Sequence, residues 1–261
     1  PGYDRRSIGQ NKSLHRLRKA GKVLEGVDGM VAGPFAGDRK KGTWVLAKAE
    51  RQMVNWLVPR VPRGIETYHL TMLTLVWSIG IVIASFLARE NIHWLWLVST
   101  LIGLQYLSDA LDGAVGRYRD TGLVKWGFYM DHFLDYLFLA SIIVGYGLVL
   151  QDIPWYWFMS MLVLGGAFMI NMFLSFAATN EFQISALGIG PTEMRLFFIL
   201  VNAGIVLLGT AWVQISLPFV LAALTIVLVW LVFKTSKQLW RLDMEYKADN
   251  KDIATGDQAG S

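Results

Sequence analysis

Residues 67–88 read TYHLTMLTLVWSIGIVIASFLA, a run without a single Asp, Glu, Lys or Arg. At about 1.5 Å per residue, a helix of this length covers the roughly 30 Å hydrocarbon core of a bilayer. Similar blocks follow over Ile92–Asp112, Gly127–Leu150, Pro154–Ala178, Thr192–Ala211 and Leu217–Leu239. The expected fold is therefore all-α and integral to a membrane, with six transmembrane helices. Bulk composition agrees, because 54% hydrophobic residues, 17% charged residues and a mean hydropathy of +0.41 suit neither a soluble domain nor a disordered chain.

Working outward from the spans, residues 1–42 carry Gly, Arg and Lys with no sustained apolar period, and are expected to form a flexible basic cytosolic arm. Residues 43–62 mix Trp44, Leu46, Val54 and Leu57 with Lys48, Glu50 and Arg51, a pattern suited to an interfacial amphipathic helix that Pro59 and Pro62 end. The six-helix transmembrane domain is expected over 63–242, and a polar, disordered cytosolic tail over 243–261. The loops near Arg89–Asn91, Gln151–Ile153 and Thr210–Ser216 contain one basic residue between them, Arg89. The positive-inside rule puts those loops outside and both termini in the cytoplasm. Tryptophans divide the same way, with Trp94, Trp96, Trp155, Trp157 and Trp212 at the outer ends and Trp44, Trp56, Trp126 and Trp240 at the inner ones. Compact length points to a prokaryotic plasma membrane.

With no cysteine, thiol catalysis, disulfide scaffolds and cysteine-ligated metals are excluded, and four dispersed histidines build no His cage. The net charge of +4 in so apolar a chain reads as cytoplasmic segments facing anionic lipid, with no nucleic acid partner. Nucleotide-binding and hydrolase signatures such as Walker A, Gly-x-Ser-x-Gly and His-Glu-x-x-His are absent.

The charges that remain inside the apolar blocks carry the chemistry. Asp109 and Asp112 sit at the cytoplasmic end of the second block, and Asp131 and Asp135 lie roughly 6 and 12 Å beyond Gly127 on a helical rise. A carboxylate at the centre of a span costs about 2.5–3.5 kcal/mol on insertion scales, and acids at one depth repel each other. Spacings of three and four residues put each pair on one helical face, and the short connection makes the helices neighbours. Four convergent carboxylates suit hard divalent cations, Mg²⁺ or Mn²⁺, and can hold two of them. The plainer reading has the acids lining a wet vestibule or pairing with Arg117, Arg119 and Lys125. Gly113 and Gly127 offer close backbone approach to a bulky ligand or simply close helix packing, and Arg117 is either a phosphate contact or part of the positive-inside signal.

Taken together, Asp109-x-x-Asp112-Gly113-x-x-Gly116-Arg117 followed by Gly127-x-x-x-Asp131-x-x-x-Asp135 resembles the signature of the CDP-alcohol phosphotransferases. The chain departs from the usual pattern in having Gly116 in place of Ala, one extra residue between Arg117 and Gly127, and no Asn in the stretch Thr67–Thr71. The resemblance implies transfer of a phospho-alcohol or phosphatidyl group from a CDP-linked donor, CDP-diacylglycerol or a CDP-amino-alcohol, to the hydroxyl of an acceptor alcohol or lipid, with release of CMP. It implies Asp109, Asp112 and Asp131 as principal ligands of two Mg²⁺ or Mn²⁺ ions, with Asp135 as ligand and general base. Gly113, Gly127 and Arg117 would then receive the CDP moiety. A homodimer among membrane lipids is also implied.

His132 and Glu193 look like residues that share the base role in choline and ethanolamine phosphotransferases, whereas Arg195 suits an acceptor or lipid phosphate. His132 lies about 100° round the helix from Asp131, which equally fits plain packing. Glu193 and Arg195 equally fit a charge pair at a helix start. The alternative function is a divalent-cation transporter or channel using the acids as an ion site, against which no acid continues the path to the outer face.

Overall fold

The computed structural model describes residues 47–120, 123–179 and 191–259, with side chains through residue 248. The arm expected over 1–42 and the first residues of the helix expected over 43–62 lie outside the described residues. Helix α1 spans Ala47–Leu57 and runs into a 3₁₀ turn over Val58–Arg60. It is followed by α2 (Thr67–Leu87), α3 (Leu95–Arg119), α4 (Val124–Val149), α5 (Trp155–Thr179), α6 (Pro191–Leu208) and α7 (Ala211–Ala259). No strand occurs among the described residues.

Local chemistry explains the boundaries. Glu66 and His69 form a reciprocal capping box at the start of α2, with the Glu66 N–H donating to His69 Nδ1 at 3.0 Å. Asn91 Oδ1 accepts from the His93 N–H at 3.1 Å and starts the 3₁₀ turn that leads into α3. Asp120 ends α3 in the left-handed region at φ 53°, which a short polar side chain tolerates. Gly209, at φ 81°, makes the tight turn between α6 and α7.

Five helices, α2, α4, α5, α6 and α7, are long and apolar enough to cross a membrane. The sixth expected span is α3, which is 25 residues long but carries Asp109, Asp112, Arg117 and Arg119 in its C-terminal half, so its sustained apolar stretch is short. It also runs two turns past Asp112, the boundary expected from hydropathy, so the acids sit inside a helix and not at its end. The last helix departs further from expectation. In place of an irregular tail from Asp243, α7 continues helical to Ala259. Once a long span has nucleated the helix, each further residue adds a hydrogen bond at little cost, and the Arg241–Glu245 pair at i,i+4 adds support.

The bundle core gathers Ile81, Leu95, Ile102, Ile142 and Ile205, all fully buried. Helix α2 packs on α3 and α4, α3 on α6, and α5 on α4 and α7. The closest approach is at Gly145, where an added Cβ would fall 2.5 Å from Ser85 Oγ, so only glycine lets α4 lie this near α2. Outward faces are equally apolar, including Ile79 and Ile83 on α2, Val163 and Ile170 on α5 and Phe219 on α7. Water would penalise such continuous exposure, and lipid tails do not. At the end of the bundle where α2 begins, α1 and the 3₁₀ turn lay Val54 and Val58 against Leu70, Leu111 and Val115, and leave Trp56 exposed.

Candidate active site

The two acid-bearing helices do bring charges together, though not all four expected. Asp109 of α3 and Asp131 and Asp135 of α4 each place a carboxylate oxygen within 4.8 Å of the others. Asp131 and Asp135 share a face because four residues advance a helix by nearly one turn. Asp112 stands outside this trio. Three residues turn a helix through about 300°, so Asp112 is rotated about 60° from Asp109, away from α4 and towards α2. There, buried, it accepts a hydrogen bond from Thr71 Oγ1 at 2.9 Å and a second from the Gly113 N–H.

Negative charges this close and half-buried favour a cation nearby. It is Arg195, from the start of α6 and only 6% exposed. Its Nη2 donates to Asp109 Oδ2 at 2.8 Å and to Asp135 Oδ1 at 3.2 Å, and its Nε donates to Gln105 Oε1 at 2.7 Å. The rings of Tyr106 and Phe138 flank the guanidinium at 5.9 and 5.7 Å. Sequence reasoning looked for the compensating charge among nearby basic residues and reserved Arg195 for a substrate phosphate. Arg119 turns away from the acids and donates to the carbonyls of Val61 and Ile65 at 2.7 Å and of Pro62 at 3.1 Å, tying α3 to the segment between α1 and α2. Gln105 and Thr71 were missed altogether. The available signal for Gln105 was its register, one helical turn before Asp109.

A cavity of about 990 Å³ opens beside the acids, bounded by α1, α2, α3, α4 and α6. Asp109, Asp112, Gly113, Arg117, Gly127 and Asp131 all lie on its wall. Gly127 faces open space, with nothing within 4 Å of an added Cβ, whereas a Cβ at Gly113 would approach Arg117 Nη1 to 3.2 Å. His132 also reaches the wall, but its Nδ1–H donates to the Phe128 carbonyl at 2.6 Å. Its ring packs against Phe128 and Phe173 at centroid distances of 4.4 and 5.3 Å. Glu193 is half-buried in the first turn of α6.

Three carboxylates with no nitrogen or sulfur ligand form a donor set for a hard divalent cation. The model of the CDP-alcohol phosphatidyltransferase family matches residues 67–235, from the first residue of α2 into α7 and well over half of the chain. The chain belongs to this family. No curated protein matches it. Family membership makes this a membrane enzyme of phospholipid synthesis that transfers phosphate-linked groups, using a CDP-alcohol donor, an alcohol acceptor and a divalent metal.

Proposed function

We propose that the protein transfers a phospho-alcohol or phosphatidyl group from a CDP-linked donor to an acceptor hydroxyl, releasing CMP, at a two-metal site on the cytoplasmic side of the membrane. The observation that carries this reading is the meeting of Asp109, Asp131 and Asp135, the first two on the wall of a cavity large enough for a nucleotide, inside the family-matched segment. In this reading Asp109, Asp112, Asp131 and Asp135 hold two Mg²⁺ or Mn²⁺ ions. When bound, these ions neutralise the diphosphate and stabilise the departing CMP.

The remaining work falls to side chains. Open space at Gly127 and the small Gly113 admit the cytidine and diphosphate, and Arg117 contacts a phosphate. Asp135 accepts the proton of the acceptor hydroxyl as that oxygen bonds to the donor phosphorus and the pyrophosphate P–O bond breaks, leaving CMP. His132 holds its Nδ1–H on the Phe128 carbonyl, which leaves Nε2 as the basic nitrogen, and its ring packs against Phe128 and Phe173.

Helix α3 completes a six-span bundle in this reading, with both termini cytoplasmic in a prokaryotic plasma membrane, α1 at the interface and the chain a homodimer. The test is CMP release from purified protein with Mn²⁺ or Mg²⁺ and a panel of donors, CDP-diacylglycerol and CDP-amino-alcohols, each offered polyol and lipid acceptors. Metal-dependent CMP release with at least one pair supports the reading. CMP formation that is indifferent to chelation, or absent across the panel while metal ions cross liposomes, contradicts it.

A further inference from the structure

The acid cluster already contains a cation, and that cation lies on the carboxylates a metal would claim. Arg195 Nη2 bridges Asp109 Oδ2 and Asp135 Oδ1 at 2.8 and 3.2 Å. Its third bond, from Nε to Gln105 Oε1 at 2.7 Å, fixes the direction of the guanidinium plane. Gln105 is completely buried, and its Nε2 has no hydrogen-bond partner among the described residues. A leucine would fill most of that space without an orphaned amide, whose burial is unfavourable. The described contact that offsets this cost is the bond to Arg195.

A divalent ion and a guanidinium cannot share the same carboxylate oxygens at full strength, because they compete for lone pairs and repel each other across a short, poorly screened distance. We propose that Arg195, tethered by Gln105, is the resident counter-cation of the metal-free site, and that divalent metal displaces it from Asp109 and Asp135. This rests on the metal-site reading above. Two consequences follow from one contact set. Arg195 keeps the half-buried acids compensated when no metal is bound, and it raises the metal concentration needed to fill the site. Gln105 acts as a positioning residue, favouring the Arg195 orientation that faces the acids.

The test is Mn²⁺ binding to chelator-stripped, full-length protein in detergent, followed by the electron spin resonance of free Mn²⁺, with thermal unfolding measured in EDTA and in Mn²⁺. Arg195→Gln removes both the competition and the like charge and is expected to bind Mn²⁺ at least about tenfold tighter than wild type. It should also unfold at lower temperature in EDTA and gain more from Mn²⁺ than wild type does. Gln105→Leu keeps the charge and loses only the tether. It should bind Mn²⁺ about threefold tighter, since a hydrogen bond favouring the metal-free arrangement is gone. It also carries the test if Arg195→Gln does not fold in EDTA.

Asp131→Asn separates the two readings, because it removes a ligand without removing a bridged carboxylate, and it should weaken Mn²⁺ binding. If Asp131→Asn weakens binding but Gln105→Leu and every foldable Arg195 variant bind Mn²⁺ no tighter than wild type, the counter-cation assignment is overturned and the metal site stands. If wild type binds no Mn²⁺ saturably, the metal site fails and the counter-cation falls with it.

Discussion

Thr71→Val tests whether Asp112 belongs to the working site despite standing apart from the other acids. The substitution keeps shape and deletes the hydroxyl whose proton goes to Asp112 Oδ2 at 2.9 Å, with the Thr67 carbonyl farther away at 3.2 Å. Both partners are buried, Thr71 at 2% exposure and Asp112 at 8%, so water does not replace the lost donor. Hydrogen bonds to charged groups contribute about 1.5–3 kcal/mol in soluble proteins. Inside membranes measured values average about 0.6 kcal/mol and reach about 1.7, because the unfolded chain in lipid also finds partners. A carboxylate acceptor argues for the upper membrane value, so the expected loss of stability is about 1.5 kcal/mol. A carboxylate that has lost its orienting donor also holds metal less well, and outer partners of this kind are worth about 10–100-fold in affinity or activity. The assay pairs thermal unfolding in detergent with the Mn²⁺ dependence of CMP release. Thr71→Val should need at least about tenfold more Mn²⁺ for half-maximal rate, and Thr71→Ser should recover most of the loss. Refutation would be a valine variant with wild-type Mn²⁺ dependence, which would remove Asp112 from the metal site.

Other substitutions separate binding from stability. Gly127→Val pushes a side chain into open cavity space, so it should raise the KM for the CDP-linked donor several-fold with little change in unfolding temperature. Gly145→Ala should do the reverse, destabilising the bundle by about 1–3 kcal/mol through overpacking against Ser85 and leaving the KM of the folded fraction unchanged. Pairing it with Ser85→Gly should restore most of the stability. Arg119→Met deletes three bonds to the carbonyls of Val61, Pro62 and Ile65, and should lower the unfolding temperature and expose the α1–α2 connection to protease.

The helices were legible because membrane spans are written in composition. A run such as residues 67–88 has no other physical use, and Glu66 with His69 even marks where it starts. The acid trio was nearly as legible, since Asp131 and Asp135 at four-residue spacing share a face. Asp112 stands apart from the trio because a three-residue spacing leaves a residual rotation of about 60°, enough to change its neighbour from α4 to α2. Arg195 as the acids' partner could not be read from spacing, because its contacts to Gln105 and Asp109 are separated by 90 and 86 residues and depend on how α6 packs against α3. Helix α3 straddles the two cases. Its N-terminal half is apolar and its C-terminal half carries the site, so hydropathy placed the boundary at Asp112 and missed the last two turns, through Arg119. The continuation of α7 to Ala259 was hidden for a related reason, since polar residues can extend a helix that an apolar segment has already nucleated.

The central claim is that Asp109, Asp131 and Asp135 hold the divalent metal on which transfer from a CDP-linked donor depends. Its most direct test is CMP release from a CDP-linked donor that the wild type turns over, by chelator-stripped protein as Mn²⁺ is titrated back, for wild type and for Asp131→Asn. The expected result is no CMP before Mn²⁺ is added, saturable recovery in the wild type, and a rate about a hundred- to thousandfold lower in the variant at any Mn²⁺ concentration, the scale of losing one electrostatic stabiliser of the transition state. Wild-type turnover by Asp131→Asn, or CMP release by stripped protein before Mn²⁺ is restored, would contradict it.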